Sequence, residues 1–146
     1  MARILVIDDY QPLLDMLRVL LGSRGHEVST ATDGAEGLRL CEDSPFDLAL
    51  LDVDMPGVGG IAVCNILKCH PGTRNLPVLM MTGRPGLETD MRAKGAGALE
   101  VIAKPFAVQE LLDKITRAAS SGSMDMQTAL DCATDRLLPD PKSPVL

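Results

Sequence analysis

The chain has 146 residues and a mass of 15.5 kDa, with 46% hydrophobic and 23% charged residues. That is the balance of one globular domain with a short appendage, and it leaves no room for a second catalytic domain. Fourteen Lys plus Arg against twenty Asp plus Glu give a net charge of −6, and aromatic residues make up only 2% with no Trp, so the chain repels phosphate backbones, has few rings for base stacking, and is not expected to bind nucleic acid directly.

Arg3 to Ile7 is a short apolar, β-rich run that ends at once in Asp8 and Asp9. It predicts a first strand and is too short for a secretory signal. No run approaches the roughly 20 residues of a membrane span, so the expected location is cytoplasmic, without membrane insertion.

Gln11 to Arg24 places Leu13, Leu17, Leu20 and Leu21 on one face at helical spacing, and Gly25 closes this first helix. His26 to Ala31 alternates as a second strand, Asp33-Gly34 forms a turn, and Ala35, Leu38 and Cys41 line the inner face of a second helix. Phe46 to Leu51 is apolar nearly throughout, as expected of a strand covered on both faces. After a loop from Asp52 to Gly60, Ile61, Cys64 and Leu67 mark a third helix that ends before Pro71.

Pro77 to Met81 predicts a fourth buried strand. A Gly/Pro-rich link, Gly83-Arg84-Pro85-Gly86, leads into a short helix over Leu87 to Lys94, and Leu99 to Ala103 predicts a fifth strand. The last helix follows Pro105, with Val108, Leu111, Leu112 and Ile115 facing inward.

Regular βα alternation implies an α/β fold with a five-stranded parallel sheet and helices on both faces. Right-handed crossovers leave few ways to cover both faces, and 2-1-3-4-5 is the common strand order at this size. The domain is expected to span residues 1–119. Ser120-Ser121-Gly122-Ser123 then predicts a flexible linker, and the rest of 120–146 a tail with one weak helix around Leu130, Ala133, Leu137 and Leu138. Arg136 and Lys142 are the tail's only basic residues, and no DNA-binding helix pair is expected in it. Cys41, Cys64, Cys69 and Cys132 show no CxxC spacing and lie in no ligand pattern with His26 or His70, so buried or semi-buried free thiols are expected.

In a sheet of this order, ligands bind at the carboxyl ends of strands 1 and 3. Asp8 and Asp9 follow strand 1 and Asp52 follows strand 3. Singly, each suits a solvated turn or a helix cap. Together, three carboxylates in one crevice repel one another, and a divalent cation resolves the conflict; an all-oxygen set that shares its ion with phosphate oxygens points to Mg²⁺. Thr82 closes strand 4 and Lys104 follows strand 5 on the same edge. A carboxylate nucleophile, a metal, a hydroxyl and an ammonium on one rim are the parts that phosphoryl transfer needs, with Asp52 as nucleophile.

With Asp8-Asp9, Asp52-Val53-Asp54-Met55-Pro56 through Gly60, Pro77 to Thr82, Gly97-Ala98 and Lys104-Pro105-Phe106 in order, residues 1 to about 119 resemble a two-component response-regulator receiver domain. The resemblance implies the flavodoxin-like receiver fold, in a stand-alone protein of the chemotaxis or phosphorelay type. It implies that Asp52 accepts a phosphoryl group from a histidine kinase or phosphotransfer protein, assisted by Thr82 and Lys104. It further implies Mg²⁺ held by Asp9, Asp52 and the backbone carbonyl of Asp54, with Asp8 acting through water, and a cis bond between Lys104 and Pro105. The expected output is altered contact with a downstream protein target; the chain assists its own phosphotransfer and autodephosphorylation and is otherwise not an enzyme.

One position departs from the family pattern. Val101 occupies the place where receivers commonly carry Tyr or Phe, and a stiff valine cannot reproduce a ring flip, so the Gly83 to Gly86 link and the helix after it are expected to carry the switch. The resemblance also implies that the second residues after the phosphoacceptor and after the threonine, here Asp54 and Arg84, border the path of an attacking water; they are read either as an ion pair that gates it or as two independent solvated side chains. Two alternatives compete. A haloacid-dehalogenase-type phosphatase shares the D-x-D of Asp52-Val53-Asp54, but places it on its first strand with metal acids downstream. A phosphorylation-independent adaptor would use the fold only as a docking surface.

Overall fold

In the computed structural model, residues 2–119 are described. Five strands, β1 (Arg3–Ile7), β2 (Glu27–Ala31), β3 (Leu48–Asp52), β4 (Val78–Thr82) and β5 (Glu100–Ala103), form one parallel sheet in the order β2-β1-β3-β4-β5. Four helices separate them: α1 (Gln11–Ser23), α2 (Gly34–Asp43), α3 (Gly60–Cys69) and α4 (Leu87–Gly95). Residues 108–119 form a fifth, α5. The expected sheet and its order are observed. The linker and tail expected in 120–146, with Cys132, lie outside the described residues.

The central strands β1, β3 and β4 are nearly all apolar because both of their faces are covered, whereas the edge strand β2 carries Glu27, Ser29 and Thr30 and is buried only at Ala31. Along β1, Ile4 and Val6 point into one core with Leu14, Leu17 and Leu21 of α1 and Leu111, Leu112 and Ile115 of α5. Leu5 and Ile7 point into a second core with Val63, Cys64 and Leu67 of α3 and Ala93 of α4. The period of two continues through β3 and β4, where Leu50 and Met81 join the first core and Leu51 and Met80 the second.

Two inward faces differ from the expected ones. On α2 it is Gly34 and Gly37 that are buried while Ala35 is exposed. A Cβ on Gly37 would lie 2.1 Å from Ile7 Cδ1, so the helix sits closer to the sheet than alanine allows. On α5 Val108 is exposed at 45%, and the inward row begins one turn later at Leu111 and Leu112. Asp33 is also more than a turn residue: its side chain accepts from the Glu36 N–H and caps α2. Cys41, Cys64 and Cys69 are free; Cys64 is buried and Cys41 half-buried as expected, but Cys69, at the end of α3, is exposed, and Cys64 Sγ donates to the Ala96 carbonyl.

Strand β1 is anchored at its start by His26, whose Nδ1 accepts the Ala2 N–H at 3.1 Å. Burial, and then the positive charge of the N-terminus, hold the His26 pKa below its ordinary value of 6.5. Its neutral form therefore contributes stability that is fully present above the unfolded pKa and is lost as pH falls through the lower, folded one. Denaturant unfolding of the wild type should lose more stability than His26→Gln between about pH 7.5 and about pH 5.5. Equal losses in the two proteins would contradict this role.

Candidate functional site

The carboxyl edge of the sheet gathers the polar residues. Of the described residues, only Asp8, Asp52 and Thr82 are both polar or charged and buried, and all three lie on this edge. Asp8 follows β1, with its backbone N–H bonded to the Ala31 carbonyl; Asp52 ends β3; Thr82 ends β4; Lys104 follows β5, its N–H bonded to the Thr82 carbonyl. Side-chain alternation sorts them. Asp8, Asp52 and Lys104 are in phase with the residues of the α1/α5 core, and Thr82 is in phase with those of the α3/α4 core.

Lys104 Nζ lies 2.7 Å from Asp8 Oδ2 and 3.3 Å from Asp52 Oδ1, an ammonium shared by two buried carboxylates. Each carboxylate also closes a local turn on the chain two residues ahead. Asp8 Oδ1 accepts the Tyr10 N–H at 2.9 Å, and Asp52 Oδ1 accepts the Asp54 N–H at 3.3 Å. Among the described residues, no group donates to Asp52 Oδ2.

Burial, and secondly the Asp8 charge, raise the Asp52 carboxyl above the ordinary aspartate range, against the opposing pull of Lys104 and the Asp54 N–H. Burial also disfavours the Lys104 ammonium, but its hydrogen bond to Asp8 and the charges of Asp8 and Asp52 outweigh that penalty and raise its pKa. Carboxylate oxygens of Asp8, Asp9 and Asp52 lie within 4.8 Å of one another. Asp9 is exposed, so one acid of the three faces the solvent from which an ion arrives. This donor set fits a hard, oxygen-preferring cation such as Mg²⁺.

Thr82 does not join the Lys104 cluster. Its hydroxyl donates to Asp54 Oδ2 at 3.2 Å and accepts the Arg84 N–H at 2.9 Å. The Asp54–Arg84 ion pair is not formed among the described residues: Thr82 engages the Asp54 carboxylate, and exposed Arg84 meets this network through its backbone. The Lys104-Pro105 bond is cis, as expected. Val101 is half-buried and packs on the α3/α4 core. The Tyr10 N–H and the Thr82–Asp54 bond went unanticipated. The tendency of Asp to bond a backbone N–H two residues ahead signals the first.

These features are those of a known family. The chain matches the response regulator receiver domain over residues 4–116 and belongs to that family. It is 35% identical over 115 residues to the DNA-binding dual master transcriptional regulator RpaA of Synechocystis sp., covering 79% of this chain and 48% of that protein. It is 39% identical over 105 residues to the response regulator PleD of Caulobacter vibrioides, covering 72% and 23%. The chain thus spans about half or less of the length of these curated relatives. Among solved structures, a Vibrio cholerae chemotaxis protein, CheY4, superposes with a TM-score of 0.78 at 31% identity, covering 81% of this chain and 98% of that one. A response regulator structure from Chloroflexus aurantiacus gives 0.77 at 32% identity, covering 82% and 98%. No described helix is long and apolar enough to cross a membrane.

The loop carrying Asp54 is held by Gly60. A Cβ there would stand 2.3 Å from the Asp52 backbone oxygen, and backbone cannot yield as a side-chain tip does. Gly60→Ala should therefore cost about 1–3 kcal/mol in denaturant unfolding. It should also weaken Mg²⁺ binding, followed by the fluorescence of Tyr10, the one tyrosine in a chain without Trp. Unchanged stability together with unchanged Mg²⁺ affinity would contradict this account of the loop.

Proposed function

We propose that the chain is a phosphorylation-dependent signalling switch. In it, Asp52 accepts a phosphoryl group from a phosphohistidine on a histidine kinase or phosphotransfer protein, and contacts with a downstream protein target change as a result. The observation that carries this reading is the pairing of Lys104 with Asp8 and Asp52 while Asp52 Oδ2 stays open. A nucleophilic oxygen and a fixed cation then stand on one rim, which is what in-line phosphoryl transfer requires.

An Asp52 oxygen attacks phosphorus as the histidine N–P bond breaks in line. The bonding pair leaves with the imidazole nitrogen, which takes up a proton, and an acyl phosphate remains on Asp52. The Lys104 ammonium stabilises charge on the equatorial oxygens, and the Thr82 hydroxyl donates to one of them once it is released from Asp54. Asp8, Asp9, Asp52 and the backbone carbonyl of Asp54 are the groups that would hold Mg²⁺, which when bound neutralises charge on the transferred phosphoryl group.

Readout needs a path away from Thr82, and Val101 offers no ring for it. The Arg84 N–H donates to Thr82 Oγ1, and the Arg84 carbonyl accepts from Thr89 Oγ1 on α4. Movement of Thr82 is therefore felt in the Gly83–Gly86 link and the first turn of α4. The receiver unit is residues 1–119, acting in the cytoplasm, with output through protein contact and not direct nucleic-acid binding.

Incubation with radiolabelled acetyl phosphate and Mg²⁺ should label the wild type. The label should disappear in Asp52→Asn or on removal of Mg²⁺, and its rate should fall about 10²-fold in Lys104→Met. An adaptor that uses the fold only for docking takes no label, so an unlabelled wild type, or label persisting in Asp52→Asn, would overturn the proposal.

A further inference from the structure

Thr82 is buried, and the one proton of its hydroxyl is committed. It donates its one proton to Asp54 Oδ2 at 3.2 Å and accepts the Arg84 N–H at 2.9 Å. A threonine hydroxyl has a single hydrogen to give. Any anion that takes this hydrogen bond at Asp52 must first take it from Asp54; at 3.2 Å the bond is longer than a short charge-assisted one, so the competition is a modest one that a phosphoryl oxygen can win.

From this competition we propose that the Asp54 side chain is a latch. It holds Thr82 away from the phosphoryl position and biases the unphosphorylated protein toward its resting state. The inference rests on the reading of Asp52 as phosphoacceptor and deepens it: Asp54 is a positioning residue, acting through Thr82 and not on the phosphoryl group itself. Its backbone carbonyl is a proposed metal ligand, but only its side chain forms the latch, so side-chain substitutions separate the two roles.

Three observations support the latch over incidental contact. Thr82 lies in phase with the α3/α4 core, away from the side where Lys104 pairs with Asp8 and Asp52, so its hydroxyl has to be drawn across to reach that cluster. Thr is stiff at χ1, so leaving Asp54 is a discrete rotamer change and not a drift. The same oxygen accepts from Arg84 at the start of the Gly83–Gly86 link, so release of the latch also frees the proposed readout segment.

The probe is beryllium trifluoride with Mg²⁺, a phosphoryl analogue that binds without a covalent donor, with affinity read from Tyr10 fluorescence. Asp54→Ala removes both the latch and a negative charge near the site. Asp54→Asn removes the charge but keeps an amide oxygen to accept from Thr82. The latch predicts that Asp54→Ala binds the analogue about tenfold more tightly than wild type, while Asp54→Asn stays closer to wild type. It also predicts that Ala and Asn at position 54 become equivalent when Thr82→Ala is introduced alongside either one.

Equal tightening by Ala and Asn in the presence of Thr82 would overturn the latch and leave only charge repulsion. So would a difference between them that persists without Thr82. Asp54 is exposed, so these variants should fold, and unchanged far-ultraviolet circular dichroism checks it. Failure of the wild type to bind the analogue at all would instead overturn the phosphoacceptor reading on which the latch rests.

Discussion

Three carboxylates brought within 4.8 Å of one another at a sheet edge are the constraint around which the site is organised. Two of them, Asp8 and Asp52, are buried, and their mutual repulsion adds to the penalty of burial on Asp52. The protein offsets this with a single ammonium, Lys104, brought from the far edge of the sheet to lie between them. One positive charge cannot balance three negative ones, and a divalent cation held by these acids would offset the remainder and the charge of an incoming phosphoryl group. Breaking such a pair by removing one partner is expected to be costly, because it leaves buried charge without compensation.

Two side-chain networks divide the rim, linked only through backbone groups: the Asp54 N–H donates to Asp52 Oδ1 and the Lys104 N–H to the Thr82 carbonyl. Lys104, Asp8 and Asp52 form one, in phase with the α1/α5 core, and Thr82, Asp54 and the Arg84 backbone form the other, in phase with the α3/α4 core. The Thr82 hydroxyl is thus held apart from the Lys104 cluster at rest. A ligand on Asp52 that recruits Thr82 joins them. Because Val101 fills its place with a short branched side chain against the core, the readout proposed above runs instead through the Arg84 backbone, which bonds the Thr82 and Thr89 hydroxyls.

Much of this was legible in the sequence because strands buried on both faces are written as unbroken apolar runs. Polar residues that end such runs, Asp8, Asp52, Thr82 and Lys104, had to meet at one edge once a parallel sheet was inferred. The departures have physical causes. Helical spacing pointed to Ala35 as an inward residue of α2, but an apolar pattern scores glycine as a gap, and at Gly37 the gap is what lets the helix approach Ile7. Val108 belonged to the right helix but stands one turn before its buried face. The pairing of Asp54 with Arg84 followed opposite charges, whereas in the structure a closer hydroxyl takes the carboxylate. Which of two polar partners a side chain chooses depends on distances of under an ångström, and spacing along a chain does not carry them.

The coupling of the site rests on the electrostatics of Asp52, and carbon-13 NMR titration of its carboxyl group measures them directly. In the metal-free protein the midpoint should lie above the ordinary aspartate value, rise further in Lys104→Met, and fall when Mg²⁺ is added. A midpoint at the ordinary value, indifferent to both Lys104 and Mg²⁺, would contradict the claim that these carboxylates, the lysine and a cation form one coupled site.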